Sequence, residues 1–115
     1  MIADDYRSEQ CSLMSLKPDS LLPPDVWQAM RKEAVGHRLA LLRRAIGKTP
    51  SEMADSLGIE RTYWSRFEKG RQGLSDSVAA LLTVRYGVTL DFIMLGKWDK
   101  LPLDLAEKMR ALPPE

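Results

Sequence analysis

From residue 25 onward, apolar side chains recur every three or four positions, and glycines break the pattern at short intervals. Val35, Leu39, Leu42 and Ile46 follow this spacing and predict an amphipathic helix, capped by Asp25 and running to about Ala45. Gly47 lies just past it, where a residue with positive φ commonly ends a helix. Thr49-Pro50-Ser51-Glu52 then supplies a cap, a proline at the first helical position and a glutamate three beyond the cap. That is a capping box. The short helix it opens turns Met53, Ala54 and Leu57 inward and stops at Gly58. A third helix, Arg61 to about Lys69, carries Trp64 and Phe67 on its inner face and ends at Gly70. Ser75 caps a fourth helix with Val78, Leu81 and Leu82 inward, closed by Gly87; Thr89 caps a fifth, Leu90 to Leu95. No stretch alternates long enough to make a strand. The predicted fold is all-α: a compact core of five short helices.

The flanks read differently. Residues 1–24 lack periodicity and end in Leu-Leu-Pro-Pro, which predicts a mobile N-terminal tail because Pro23 and Pro24 would stop any helix arriving from upstream. Residues 97–115 read as a linker followed by a short helix from about Leu103 to Ala111, with Leu105, Met109 and Leu112 on one face. Trp98, Leu101 and Leu103 add apolar area there. Two readings stay open for this extension: a flap packed on its own domain, or a homodimer contact through Trp98, Leu105, Met109 and Leu112. Val26, Trp27 and Met30 admit the same two. The core domain is therefore set at residues 25–96.

Within it, two short helices (50–57 and 61–69) are separated only by Gly58-Ile59-Glu60. A turn this short, with glycine at its head, lets the second helix cross the first steeply and project its N-terminal half outward. A helix so presented fits the major groove, which is about 12 Å wide. The N-terminus of the first helix would face the phosphate backbone, where free N–H groups favour an anion.

Charge sharpens this picture. The 115 residues carry 17 Lys+Arg against 16 Asp+Glu, a net charge of only +1. Its distribution is uneven. Residues 31–71 hold ten basic side chains against five acidic ones, whereas residues 1–30 come to −3 and residues 72–115 to −1. Phosphate binding needs such a local excess more than a high total. The single cysteine, Cys11, cannot form an internal disulfide and fits a reducing compartment. Residues 1–12 are acidic and polar, the opposite of a signal peptide, and no apolar run nears the roughly 20 residues needed to cross a bilayer. A soluble protein of the cytoplasm, associated with the nucleoid, is expected.

The ordered set Val35-Gly-His-Arg-Leu, Glu52-Met-Ala, Leu57-Gly-Ile, Tyr63-Trp-Ser-Arg-Phe-Glu-Lys-Gly-Arg and Tyr86-Gly-Val-Thr-Leu-Asp-Phe-Ile resembles the lambda-repressor-like helix-turn-helix family. That family includes Cro-type phage repressors and xenobiotic-response-element-type bacterial regulators. The resemblance spans about residues 35–96 without gaps. It implies that Glu60, Arg61, Thr62, Ser65 and Arg66 face DNA bases, and that Thr49, Ser51, Tyr63, Lys69 and Arg71 sit near phosphates. It also implies a structural ion pair between Arg43 and Glu68. Many relatives place glutamine at the first position of the second helix, where its side chain binds phosphate; this chain has Pro50 instead. The implied function is a transcriptional regulator, a repressor that reads a palindromic operator in double-stranded DNA as a homodimer. A phage control protein, a restriction-system controller, or an antitoxin with a toxin as protein partner would all share this pattern.

Other chemistries have little to stand on. Cys11 and His37 lie too far apart to seed a metal site, no glycine-rich phosphate loop occurs, and Asp4-Asp5 sits in polar sequence that holds no geometry. No enzyme activity, cofactor or metal is expected. Pro50, Glu60 and the near-zero net charge motivate a rival from another class, a protein-interaction module that keeps the fold without specific DNA binding. A nonspecific nucleoid protein is a third option, against which the small net charge counts.

Overall fold

The computed structural model describes residues 21–113, and among these it is all-helical, as the sequence predicts. Six α-helices follow in order: α1 Pro24–Ala29, α2 Lys32–Ile46, α3 Pro50–Leu57, α4 Arg61–Glu68, α5 Asp76–Tyr86 and α6 Leu103–Ala111. A π-helical turn, Asp91–Leu95, lies between α5 and α6. Of the tail expected over residues 1–24, residues 1–20 lie outside the described residues, and Pro24 is already the first residue of α1.

Helix α2 is the hub. It packs against α4, α6, the π turn and α1, while α3 packs against α4 and α5. Its inward residues Val35, Leu39 and Leu42 join Met53, Leu57, Trp64, Phe67, Leu82, Phe92 and Ile93 in one buried cluster. Burying a side chain of this size contributes about 1.5–3 kcal/mol, so this cluster supplies most of the drive to fold. The local signals agree with it. Thr49 Oγ1 accepts from the Glu52 N–H while the Thr49 N–H donates to Glu52 Oε1, so the capping box closes in both directions. Ser75 caps α5 through the Val78 N–H, and Thr89 receives the Phe92 N–H at the start of the π turn. The fifth element is thus wound as a π turn and not as an ordinary helix.

One expectation needs correction. The first helix does not run unbroken from Asp25: Met30 and Arg31 interrupt it, with Arg31 extended at ψ 147°, and Pro23 precedes α1 with no side-chain cap. The cause is tertiary. Arg38 Nη1 donates to the carbonyl of Ala29 at 2.8 Å and to that of Ile93 at 2.9 Å, so one guanidinium ties the end of α1 to the π turn. With the helix broken, the Ala29 carbonyl accepts from Arg38 at the end of α1. Partial burial lowers the Arg38 pKa, yet arginine stays charged in proteins and keeps both bonds.

Of the two readings open for the C-terminal extension, the structure shows the flap. Leu105 and Met109 of α6 are buried in the chain's own core, and Leu112 is half-buried. Trp98 and Phe92 pack edge to face at 5.2 Å, and the Arg110 guanidinium stands over the Trp98 ring. These residues form a flap on their own domain. Leu105 and Met109 spend their apolar area on the chain's own core, while Trp98 and Leu112 stay half-buried.

What matters most for function is how α4 is held. Arg43 on α2 meets Glu68 at the end of α4, Nε to Oε2 at 2.6 Å, with both side chains only 15% exposed. Arg43 Nη1 also donates to the Lys48 carbonyl at 2.9 Å, and the Trp64 indole N–H donates to Glu68 Oε2. Nearby, a side chain on Gly36 would stand 2.5 and 2.6 Å from the carbonyl oxygens of Glu68 and Phe67. Only glycine lets α2 approach the end of α4 so closely.

Both features are testable by thermal unfolding. Gly36→Ala gains about 1 kcal/mol of helix propensity, but the methyl meets rigid backbone, so we expect a net loss of about 1–3 kcal/mol. A variant as stable as wild type would refute the close approach. Glu68→Ala strips two donors of their partner and should cost about 3–5 kcal/mol; a change near zero would mean that water screens the pair.

Candidate nucleic-acid interface

Helix α4 shows one face to the core and one to water. Trp64 and Phe67 are buried, whereas Arg61, Thr62, Tyr63, Arg66 and Lys69 are exposed and Ser65 is half-buried. Helical spacing dictates this division, since residues 61, 62, 65 and 66 share the stripe opposite Trp64 and Phe67. The turn before α4 needs Gly58, whose φ of 70° closes α3 in the left-handed region. Ile59 is half-buried and packs against the core, so the chain enters α4 at a fixed angle.

The N-cap position of α4 is Glu60, exposed and with no side-chain cap bond. Its carboxylate is therefore free to act as an acceptor at the outer surface. Arg61 is not free. Its Nη2 lies 3.1 Å from Oδ2 of Asp55 on the last turn of α3, and its Nε lies 3.5 Å from Oδ1. Both side chains are more than half exposed, at 66% and 59%, so the pair adds only about 0.2–1 kcal/mol to stability. Arg66 stands over the Tyr63 ring at 6.0 Å, which restrains a second arginine of the same stripe.

Apart from Tyr63, the residues that the family resemblance assigns to phosphates lie at the ends of α3 and α4. Lys69 and Arg71 are exposed just past α4, and Thr49 and Ser51 flank the start of α3, Thr49 exposed and Ser51 half-buried. There the capping box changes the chemistry. Glu52 keeps its carboxylate on the Thr49 N–H, and that hydrogen bond lowers its pKa, so the site holds a negative charge at neutral pH. An incoming phosphate meets that charge first. Thr49 Oγ1 accepts from the Glu52 N–H, and a side-chain hydrogen bond between Thr49 and the Glu52 carboxylate also lowers the Glu52 pKa. Pro50 adds no donor at this position.

Sequence reasoning did not find Asp55. Its signal was an acidic residue in the last turn of one helix and a basic residue at the first position of the next, which a three-residue turn brings together. Nor did it find Arg38, whose partners are carbonyls and leave no mark in the sequence. Among the described residues no cluster of His, Cys, Asp and Glu could hold a metal ion, and no helix is long and apolar enough to cross a membrane.

Known proteins were compared with this chain. No curated protein and no solved structure matches it. A family model described as a helix-turn-helix domain matches residues 34–91, from α2 through the first residue of the π turn. That stretch includes α3, α4 and the short turn between them, with the network of Arg43, Glu68 and Trp64. The chain belongs to this helix-turn-helix family and carries a DNA-binding domain of the kind found in transcription regulators.

Proposed function

We propose that this protein is a transcriptional regulator that binds double-stranded DNA sequence-specifically, reading the major groove with α4. The observation that carries the reading is the exposed stripe of α4, two arginines with hydroxyl neighbours, on a helix locked to the core from behind. Arg61, Thr62, Ser65 and Arg66, with Glu60 ahead of them, are the base-facing set. An arginine fork suits the major-groove edge of guanine, and Glu60 can accept from the amino group of cytosine. Tyr63, Lys69, Arg71, Thr49 and Ser51 are the phosphate set, with Lys69 and Arg71 carrying most of it because Glu52 opposes phosphate at the start of α3.

One recognition helix covers only a few base pairs. Two copies on half-sites about one helical turn apart, ~34 Å, would give a palindromic operator its length. Repression then needs nothing beyond occupancy of a promoter. The residues that would pair the copies are other than Leu105 and Met109, which the core consumes.

Asp55 and Glu60 favour a second reading, a protein-interaction module with no specific DNA binding, since both place negative charge at the reading face. Salt separates the two, because phosphate contacts release counterions and weaken steeply as salt rises.

Substitutions at two positions should behave differently. Arg61→Ala should cost about 1–3 kcal/mol on a preferred duplex and relax selectivity at one base pair. Equal loss on every duplex would remove Arg61 from the base-reading set. Lys69→Ala should weaken all duplexes alike and flatten the salt dependence by about one unit. An unchanged slope would remove Lys69 from the phosphate set.

A further inference from the structure

We infer that Asp55 is a positioning residue for base selectivity: it holds Arg61 so that the arginine reads one base pair instead of binding phosphates at large. The inference rests on the DNA-reading function proposed above and deepens it. The contact runs along one side of the guanidinium, Nε facing Oδ1 at 3.5 Å and Nη2 facing Oδ2 at 3.1 Å. Arginine has five N–H donors in one plane. This contact engages two, one on Nε and one on Nη2. The outer edge, formed by Nη1 and the second Nη2 proton, stays open, and it suits a two-point bond to guanine. Binding Asp55 and binding a base are therefore compatible, and fixing one edge of a planar group aims the other.

The holder is itself held. Asp55 lies on α3 between Met53, Ala54 and Leu57, all buried, and next to Ser56, whose Oγ lies 2.6 Å from the Tyr86 hydroxyl on α5. In free protein, water weakens the exposed Asp55–Arg61 pair. Docking on DNA would expel that water, and the attraction rises as the local dielectric falls. The same carboxylate repels any phosphate that approaches Arg61, and Glu60 alongside adds to the effect. Sequence-independent attraction is lowered while the base-directed edge is left intact. An arginine without this partner could swing to whichever acceptor a wrong sequence offers.

The experiment measures the full chain binding to its preferred duplex, to every single-base-pair variant of that duplex and to an unrelated duplex, across a salt series. Wild type is compared with Asp55→Asn, Arg61→Ala and the double variant, with thermal midpoints confirming that each is folded. Asp55→Asn should bind the unrelated duplex severalfold more tightly, with a salt dependence steeper by about 0.9. It should also flatten preference at one base pair by about tenfold, the value of roughly 1.4 kcal/mol of discrimination. In the Arg61→Ala background, Asp55→Asn should leave that preference unchanged. Intact preference at every position in Asp55→Asn overturns the inference while leaving DNA reading in place, and so does a further loss in the Arg61→Ala background. If wild type prefers no sequence, the DNA-reading function fails and takes this inference with it.

Discussion

Arg43, Glu68 and Trp64 form the contact on which the rest of the structure depends. A recognition helix is useful only if its angle to the body is fixed, and α4 is short, Arg61–Glu68, so its own hydrogen bonds cannot set that angle. The fixing comes from α2. Arg43 grips the Glu68 carboxylate at one end of α4 and the Lys48 carbonyl before α3 at the other side, so one side chain links both helices of the motif. Trp64 spends its indole proton on the same carboxylate, which lets the largest ring in the core be buried without an orphaned donor. Gly36 brings the two backbones together so that this network can close.

Much of this was legible in the sequence, and the limits have physical causes. Local chemistry spoke clearly: the Thr49-Pro50-Ser51-Glu52 capping box, Ser75 and Thr89 as caps, and glycines 47, 58 and 87 at helix ends need only neighbours a few residues away. The break at Met30–Arg31 was hidden because its cause, Arg38 reaching Ala29 and Ile93, spans 9 and 55 residues of sequence. The extension posed a different problem. Leu105 and Met109 mark a buried face in any reading of periodicity, but a pattern cannot say whether its own core or a second copy does the burying. Asp55 was missed for the same kind of reason: its partner lies across a turn, and no spacing rule within one helix joins them.

The exposed face of α4 sets acidic side chains beside basic ones. Basic residues gather in the segment 31–71, yet at its centre Asp55 and Glu60 stand beside Arg61, and Glu52 occupies the start of α3, where Pro50 adds no donor. Each acid lowers the affinity for any phosphate backbone. Lys69 and Arg71 place positive charge just past the end of α4, away from its first turn. Weak general attraction with a restrained reading arginine is a physical route to selectivity in a chain whose net charge is only +1.

The claim that α4 reads DNA is tested most directly by selection from a random duplex library at two salt concentrations, with wild type beside an Arg61→Ala/Arg66→Ala variant of matched stability. The account predicts that wild type enriches a two-fold symmetric sequence, more weakly at the higher salt, and that the variant enriches none. Folded wild type that enriches nothing at either salt would contradict the account, and so would a variant that enriches the same sequence as wild type.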